Sequence, residues 1–304
     1  MIKDPFGRSL TDLRISITQR CNFNCFYCHR EGEDNIKETE MTPEEIERIV
    51  RISSKLGIKK IKLTGGEPLL REDIVEIVSR TSSIPGITEV AITTNGTLLK
   101  KYSNQLREAG LTRINVSLDT LRPKTFRKIT CTNSIKTVIE GVKKAVQVGL
   151  SPVKINMVVL KELNEDQIWE MIHFTIENNL ILQLIEFEGL EGDEIFEKYH
   201  LDLDKIEDEL EESAWEIRIR KMQHRKKILL NGGGEIEIVK PMHNTLFCEN
   251  CRKMRITSDG KFKPCLFRSD NHIDFLTPMR RGVSDESLKK LFLEAVNMRR
   301  PYFT

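Results

Sequence analysis

Six of the seven cysteines in this 304-residue chain stand in two groups of three. In the first group three residues and then two separate the cysteines, and in the second group two and then thirteen. Reduced cysteines at close spacing more often hold metal or do redox chemistry than form disulfides. The two groups are Cys21, Cys25 and Cys28, and Cys248, Cys251 and Cys265.

Three thiolates leave one iron of a four-iron cluster without a protein ligand. Such an open iron can bind a substrate or cofactor directly, so the sequence predicts two iron–sulfur clusters that each have a vacant position. Zinc remains an alternative, with His29 completing the first group and His243 or His272 the second. Cys131, the seventh cysteine, lies away from both groups and has no predicted role.

The composition indicates a folded protein, with 39% hydrophobic and 31% charged residues and a formal net charge of +2. This small net charge argues against nucleic acid as a partner, so any anion site must come from the local placement of cations. No stretch approaches the ~18 apolar residues of a membrane span, and the N-terminus lacks the apolar core of a signal peptide. We therefore predict a cytoplasmic protein.

Six short β-branched runs alternate with amphipathic stretches and predict repeated βα units with a parallel sheet. The first helix has a strong start signal, because Thr42 can cap it, Pro43 suits its first position and Glu45 completes a capping box. Gly110 and Gly149 follow helical stretches as left-handed cap residues. The predicted strands are Leu13–Thr18, Lys59–Thr64, Glu89–Thr93, Arg113–Leu118, Val153–Val159 and Ile181–Phe187, followed by a later strand at Glu235–Val239.

One polar face recurs on several of these strands, as where Lys60 and Lys62 alternate with Ile61 and Leu63. An open sheet covered on both faces should be almost continuously apolar, so the pattern favours a curved sheet around a polar interior. The predicted fold is α/β, an incomplete (β/α)6 TIM-like barrel with a C-terminal extension that carries the second cysteine group. Residues 1–190 would form the barrel, and residues 191–304 would close its open side.

Beyond the barrel, the acidic run Glu207–Glu212 and the basic run Arg218–Lys227 are interpreted as solvated faces. A final helix is predicted near Asp285–Met298.

The first cysteine loop resembles the signature of the radical S-adenosylmethionine (SAM) superfamily, with Tyr27 as the aromatic residue before the third cysteine. Gly65-Gly66-Glu67-Pro68, at the end of the second strand, resembles a second mark of the superfamily. The resemblance implies that S-adenosylmethionine chelates the open iron. One-electron cleavage of the cofactor then yields a 5′-deoxyadenosyl radical that abstracts hydrogen from the substrate.

Nearly the whole chain resembles the molybdenum cofactor biosynthesis protein A family, the GTP 3′,8-cyclases. This resemblance implies a lyase that converts GTP to (8S)-3′,8-cyclo-7,8-dihydroguanosine 5′-triphosphate with two [4Fe-4S] clusters. It further implies a one-electron donor and transfer of the product to the cyclic pyranopterin monophosphate synthase. The expected oligomeric state is a monomer or a homodimer. The stretches that carry the resemblance are 64–69, 93–96, 113–119, 185–187 and 258–267, the last ending in Cys265-Leu266-Phe267.

The same resemblance implies the ligand contacts, with Lys62 and Lys253 at positions where arginine is common and Glu188 where methionine is common. Arg255 is the one residue for which it suggests a catalytic role, as a positioning group or proton donor. The alternative is that the cations of the polar face pair with Glu186, Glu188 and Asp119. The implied cofactor contacts are Tyr27, Gly66, Ser117 and Glu188, and the implied GTP contacts are Arg14, Lys62, Thr93, Lys154, Lys253, Met254 and Arg255.

Overall fold

The computed structural model describes residues 2–33, 40–189 and 192–304. Within these ranges twelve strands form one sheet, and eleven α-helices connect or cover them. The predicted boundary between residues 190 and 191 lies outside the described residues. No helix in the described part of the chain is long and apolar enough to cross a membrane.

The first six strands are parallel neighbours in chain order, each followed by a helical connection. This arrangement confirms the predicted (β/α)6 unit, and five of the six strand boundaries differ from prediction by one or two residues. The strands are β1 (Asp12–Ser16), β2 (Lys60–Thr64), β3 (Glu89–Thr94), β4 (Arg113–Ser117), β5 (Val153–Val159) and β6 (Ile181–Glu186).

The helices follow the expected signals where those signals were strong. Thr42 and Glu45 form the predicted capping box at the first helix, and Gly110 and Gly149 have the predicted positive φ angles of 93° and 80°. The helices are α1 (Pro43–Lys55), α2 (Ile74–Ser82), α3 (Leu99–Glu108), α4 (Pro123–Thr130), α5 (Ile135–Gln147), α6 (Ile168–Glu177), α7 (Glu194–Tyr199), α8 (Asp204–Glu212), α9 (Thr245–Glu249), α10 (Leu276–Arg280) and α11 (Asp285–Asn297).

The C-terminal segment extends the sheet at both edges. One of its strands pairs parallel with β6 and another pairs parallel with β1, so eight parallel strands lie in a row and antiparallel strands flank them. Gln223 N–H donates to the carbonyl of Asn250 (2.9 Å), which connects the segments at the two edges. The added strands are β7 (Ala214–Ile219), β8 (Lys226–Leu230), β9 (Glu235–Val239), β10 (Lys253–Ile256), β11 (Lys261–Lys263) and β12 (Ile273–Asp274).

The alternation along the strands divides the sheet as predicted. Ile61 and Leu63 are buried in the apolar core, whereas Lys60 and Lys62 line cavities on the other side. Charged side chains therefore face the barrel interior, and the apolar side chains that hold the fold together pack on its outer side.

The interpretation of the two later charge runs as solvated faces was wrong for several residues, including Glu207, Arg220 and Arg225. Glu207 is 5% exposed and pairs with Lys240, because α8 packs this carboxylate against the sheet. Arg220 and Arg225 lie at the turn of the β7–β8 hairpin and point toward the buried carboxylate of Glu237. The hairpin was not predicted, because its charged residues were interpreted as a solvated face. Trp215, Ile217 and Ile219 nevertheless alternate with Glu216 and Arg218 along its first strand.

Candidate functional site

One cavity of about 320 Å³ lies at the C-terminal ends of the parallel strands, and it is lined by all six cysteines of the two trios. The two groups are far apart in sequence. They meet because β10, which follows Cys251 by two residues, pairs directly with β1, which precedes Cys21. This strand pairing brings the two predicted cluster sites to one chamber.

The loop of the first trio is held by the end of α4. Asn24 N–H donates to the carbonyl of Thr130 (3.2 Å), and Phe26 N–H donates to that of Ile129 (3.2 Å). The loop thus uses C-terminal carbonyls that a helix leaves unpaired. Cys131, directly after this helix, is its left-handed cap residue (φ 61°) and is exposed.

Two glycines bring the end of β2 close to the backbone just before the first trio. A Cβ on Gly65 would lie 2.1 Å from the carbonyl oxygen of Thr18, and one on Gly66 would lie 2.3 Å from that of Arg20. Gly66 N–H donates to the same Thr18 carbonyl (2.8 Å). The glycines are therefore required for close approach of the protein's own backbone, and both also line the cavity.

Glu67, next to these glycines, is a fully buried carboxylate that ties β2 to β3. It accepts hydrogen bonds from Thr94 Oγ1 (2.6 Å), Asn95 N–H (2.6 Å) and Leu69 N–H (2.9 Å). Burial raises its pKa to about 7, although these hydrogen bonds act in the opposite direction. Its contacts make it a brace for the loops around the first trio.

The residues expected to contact S-adenosylmethionine all line this cavity: Tyr27, Gly66, Ser117 and Glu188. The Tyr27 hydroxyl donates to Asp119 Oδ2 (2.6 Å), and Asp119 also accepts from Val158 N–H (2.9 Å). Burial raises the pKa of Asp119 to about 6. Glu188 lies 4.0 Å from His29 Nε2.

The second trio is held by a buried charge cluster that joins the two ends of the chain. Asp4 accepts from Arg8 Nε (2.7 Å) and Arg299 Nη1 (2.8 Å). Arg8 in turn donates to the carbonyl of Cys248 (2.9 Å), and Arg299 donates to that of Cys251 (2.8 Å). Both arginines fix the loop by donating to its main-chain oxygens, and Arg299 also interacts with the thiol of Cys251.

The donor set fits iron–sulfur clusters. All six cysteines are free thiols, and backbone N–H groups approach two of the sulfur atoms, Phe23 N to Cys21 Sγ (3.4 Å) and Arg30 N to Cys28 Sγ (3.5 Å). Across the described residues, no three His, Cys, Asp or Glu side chains converge on a point suited to a single metal ion. The ligands of a four-iron cluster each bind a different iron, so they need no such convergence.

The histidines of the zinc alternative have other contacts. His29 Nδ1 accepts from Glu31 N–H (3.1 Å). His272 Nε2 lies 3.2 Å from the carbonyl oxygen of Arg268 and 3.3 Å from Lys263 Nζ. The ring of His243 packs against Phe303, with centroids 5.1 Å apart. These contacts favour trios of cysteine alone at both sites.

Cations line the floor of this chamber in two layers, which the strand register explains. Arg255, Arg14 and Lys62 stand side by side on β10, β1 and β2. One layer below, Lys253 and Lys60 flank Asp12. Like charges on neighbouring strands repel. Glu31 offsets this repulsion at Arg14 and Arg255, and a bound anion would offset what is left at the lysines.

Two floor lysines have no carboxylate partner among the residues described. Lys62 Nζ donates to Asn115 Oδ1 (3.3 Å), and Lys253 Nζ donates to Gln223 Oε1 (3.0 Å). Burial, followed by the charges of neighbouring arginines, lowers the pKa of Lys253 to about 7 and that of Lys62 well below its usual range. An anion bound at this floor would raise the pKa values of both lysines again and favour their protonated, charged form.

A second cavity, of about 300 Å³, lies below this floor at the N-terminal ends of the strands. Lys154 lines this lower cavity and not the upper one, and it pairs with the fully buried Glu237. Glu237 also binds Arg220 (2.6 Å) and lies 3.9 Å from Arg225. The floor residues shared by the two cavities are Arg14, Lys62, Gln183, Arg225 and Lys253.

The remaining expected GTP contacts differ in placement. Thr93 lines the upper cavity, and its buried Oγ1 has no hydrogen-bond partner among the described residues. The side chain of Met254 is fully buried in the apolar core, so only its main chain could reach a ligand. Arg14 and Arg255 line the upper cavity, and both pair with Glu31.

The strand cations do pair with acids, but not with the three that the sequence suggested. Asp119 binds Tyr27, Glu186 binds His200 and Glu188 approaches His29. The partners are instead Glu31, Glu89 and Glu237.

Sequence reasoning also missed several residues that line the chamber. Gln183 continues the polar face onto β6, and alternation along that strand could have identified it. Arg225 belongs to the basic run that was interpreted as a solvated face. Glu31 lies in a turn, where no periodic pattern marks a residue as buried. Register and loop geometry were needed to place these two residues.

Comparison with known proteins extends these observations over the whole chain. The family model "Radical SAM superfamily" matches residues 15–175, and "Molybdenum Cofactor Synthesis C" matches residues 180–304. Proteins named "Probable GTP 3′,8-cyclase" from Thermococcus kodakarensis and Methanothermobacter thermautotrophicus are each 50% identical to this chain. Each alignment covers 100% of this chain, with 100% of the first relative and 99% of the second.

Solved structures match the fold at lower identity. Streptococcus suis SuiB bound to S-adenosylmethionine has a TM-score of 0.67 and 21% identity, covering 86% of this chain and 62% of SuiB. Native anSMEcpe with bound AdoMet has a TM-score of 0.66 and 18% identity, covering 94% of this chain and 82% of that protein. At these identities the likeness shows a shared fold.

Proposed function

This chain belongs to the GTP 3′,8-cyclase family of the radical SAM superfamily, and on that premise we propose that it converts GTP to (8S)-3′,8-cyclo-7,8-dihydroguanosine 5′-triphosphate in molybdenum cofactor biosynthesis. The observation that carries the proposal is the single chamber lined by both cysteine trios, above a floor where Lys62 and Lys253 have no carboxylate partner among the described residues.

The two trios would each hold a [4Fe-4S] cluster, Cys21, Cys25 and Cys28 the first, and Cys248, Cys251 and Cys265 the second. The cluster held by the first trio would, together with S-adenosylmethionine, supply the one-electron chemistry for hydrogen removal from ribose C3′ and closure of the bond to guanine C8. The side chains of this protein would hold the two reactants in contact and exclude water from the chamber.

We propose that Tyr27, Gly66, Ser117 and Glu188 form the cofactor side of the chamber. Tyr27 is fixed by its bond to Asp119, so its ring provides a rigid wall. Gly66 holds the β2 loop against the first trio. A carbonyl of this loop would accept from the ammonium group of the cofactor.

The triphosphate would bind on the floor, where Lys62 and Lys253 lack carboxylate partners among the described residues. From there its terminal phosphate can extend toward Lys154 in the lower cavity, since the floor residues line both spaces. The unpartnered Thr93 hydroxyl is a hydrogen-bond donor for the nucleotide, and Met254 would contribute its main chain. Arg255, beside Arg14, would position GTP or donate a proton.

We propose that turnover requires a one-electron donor. We further propose that the product passes to the cyclic pyranopterin monophosphate synthase, as the family assignment implies.

The deciding experiment is anaerobic turnover of the reconstituted protein with dithionite and S-adenosylmethionine, comparing GTP, ATP and a peptide. We expect 5′-deoxyadenosine and cyclised nucleotide with GTP alone. Equal cofactor cleavage with all three, and no cyclised product, would refute the cyclase. Metal analysis should give about eight irons per chain for two four-iron clusters, whereas stoichiometric zinc would support the alternative of a metal-binding module.

A further inference from the structure

The loop that carries the first trio ends in a buried carboxylate that reaches the arginines of the chamber. Glu31 follows Cys28 by three residues and is 8% exposed. Its oxygens accept from Arg14 Nε (3.0 and 3.1 Å), Arg255 Nη1 (2.8 Å) and Thr64 Oγ1 (2.8 Å). One side chain therefore joins the cysteine loop to three parallel strands.

This carboxylate answers a specific electrostatic problem. Arg14 and Arg255 stand opposite each other on β1 and β10, where two like charges repel. Burial acts to raise the pKa of Glu31, but the two arginines outweigh it and hold the pKa well below its usual range. Glu31 thus stays ionised, and its charge keeps both guanidinium groups directed at one point.

The backbone around Glu31 is also constrained. Glu31 has a left-handed conformation (φ 57°), and the carbonyl of Gly32 accepts from Lys263 Nζ (2.9 Å) on β11. The turn is therefore fixed both by Lys263 and by the two arginines. A shift of the cysteine loop would move the arginines, and a shift of the arginines would move the loop.

We infer that Glu31 is a positioning residue that fixes Arg14 and Arg255 relative to the first cysteine loop, so that GTP is held in register with the radical formed at that loop. This inference rests on the proposed cyclase function. It predicts that Glu31 governs the coupling of cofactor consumption to product formation more than it governs substrate affinity.

The test is Glu31→Gln in the reconstituted holoenzyme, since glutamine keeps the shape and removes the charge. Removal of a negative charge beside an anion site cannot weaken the binding of GTP electrostatically. The Kd for GTP should therefore be no larger than that of the wild type. Product formation should fall by about 100-fold because the arginines lose their common partner. The ratio of 5′-deoxyadenosine to cyclised product should rise.

Glu33→Gln is the matched control. Glu33 lies two residues further along the same loop and accepts from Ser258 N–H (3.0 Å) and Oγ (2.6 Å), without contacting either arginine. It should keep the wild-type coupling ratio. Glu31→Asp keeps the charge with a shorter reach and should restore part of the lost turnover.

Equilibrium dialysis with GTP, without cofactor or reductant, gives the Kd independently of turnover. The inference is overturned if Glu31→Gln couples as tightly as the wild type, or if both glutamine variants lose iron and GTP binding alike. A wild-type protein that does not cyclise GTP would instead refute the proposed function.

Discussion

The two cysteine trios face the same chamber in opposite electrostatic surroundings. Burial raises the pKa values of all three thiols of the first trio, and the acidic neighbours Glu67, Asp119 and Glu31 add to this. In the second trio burial likewise raises the pKa of Cys265, although the charge of Arg255 acts in the opposite direction. At Cys251 the charges of Arg299 and Lys253 outweigh burial, and the pKa is lowered. One end of the chamber is acidic and the other is cationic.

This difference matches the two ligands of the proposed reaction. S-adenosylmethionine carries a sulfonium and an ammonium group, which acidic surroundings favour, whereas GTP is a polyanion that requires cations. The chamber can therefore orient both reactants by charge before any specific contact forms. The following predictions test whether the two ends act separately.

Removing one cysteine from each trio should give the largest and most distinct effects. Cys25→Ala should abolish both 5′-deoxyadenosine and cyclised product, because the cofactor site is lost. Cys251→Ala should retain cofactor cleavage and lose cyclisation. Iron analysis of each variant should fall from about eight to about four per chain. Formation of cyclised product by Cys251→Ala would show that the second trio is not needed for cyclisation, and would contradict separate roles for the two trios.

Substitution at Gly65 should damage the first trio by moving its backbone. Gly65→Ala places a methyl group 2.1 Å from the Thr18 carbonyl at a φ of 135°, so the loop before Cys21 must shift. We expect a loss of about 2–4 kcal/mol of stability and weaker S-adenosylmethionine binding. Anaerobic thermal unfolding and equilibrium dialysis measure these two effects.

Gly232→Ala is the control for this strain, since its Cβ would meet no atom within 4 Å. It should change the stability by no more than about 0.5 kcal/mol. If the two variants unfold at the same temperature, the close approach at Gly65 does not constrain the loop.

Neutralising the floor should affect the nucleotide alone. Arg225→Met removes a buried cation that borders both cavities and whose Nε lacks a partner among the described residues. We expect GTP to bind about 10- to 100-fold more weakly, because charge-assisted contacts to phosphate are lost. The affinity for guanosine should change little. The measurement is the Kd of both ligands by equilibrium dialysis.

Lys227→Met is the matched control, because it removes a different cation from the same hairpin. Lys227 pairs with Glu235 (2.7 Å) away from the chamber. Its GTP affinity should stay within about twofold of the wild type, because neither Lys227 nor Glu235 lines either cavity. Equal losses in both variants would mean that the hairpin acts through general charge and not through the floor.

The sequence predicted one end of the chamber better than the other, for a physical reason. The first trio, its glycines and the strands beside it are contiguous and follow regular alternation, so local pattern located them. The second end depends on β10 pairing with β1, a contact between residues about 240 positions apart that no local signal specifies. The cations were predicted, but their partners Glu31 and Glu237 were not, because turn geometry and register decide which acid meets which base.

The smallest effect, and the finest test of the cationic end, is the uptake of protons when GTP binds. Burial lowers the pKa of Lys62 well below its usual 10.5, so the free protein loses this proton as pH rises through the lowered pKa. Bound phosphate favours the ammonium form and raises the pKa again. GTP binding above the lowered pKa must therefore take up a proton, and affinity must fall as pH rises. Calorimetry over a range of pH, in two buffers of different ionisation enthalpy at each pH, measures this uptake. Lys62→Arg stays charged throughout, so it should take up fewer protons than the wild type and show a flatter pH dependence. Equal uptake by both proteins would assign the titration to another group of the floor, such as Lys253 with its pKa of about 7, and would contradict the prediction for Lys62.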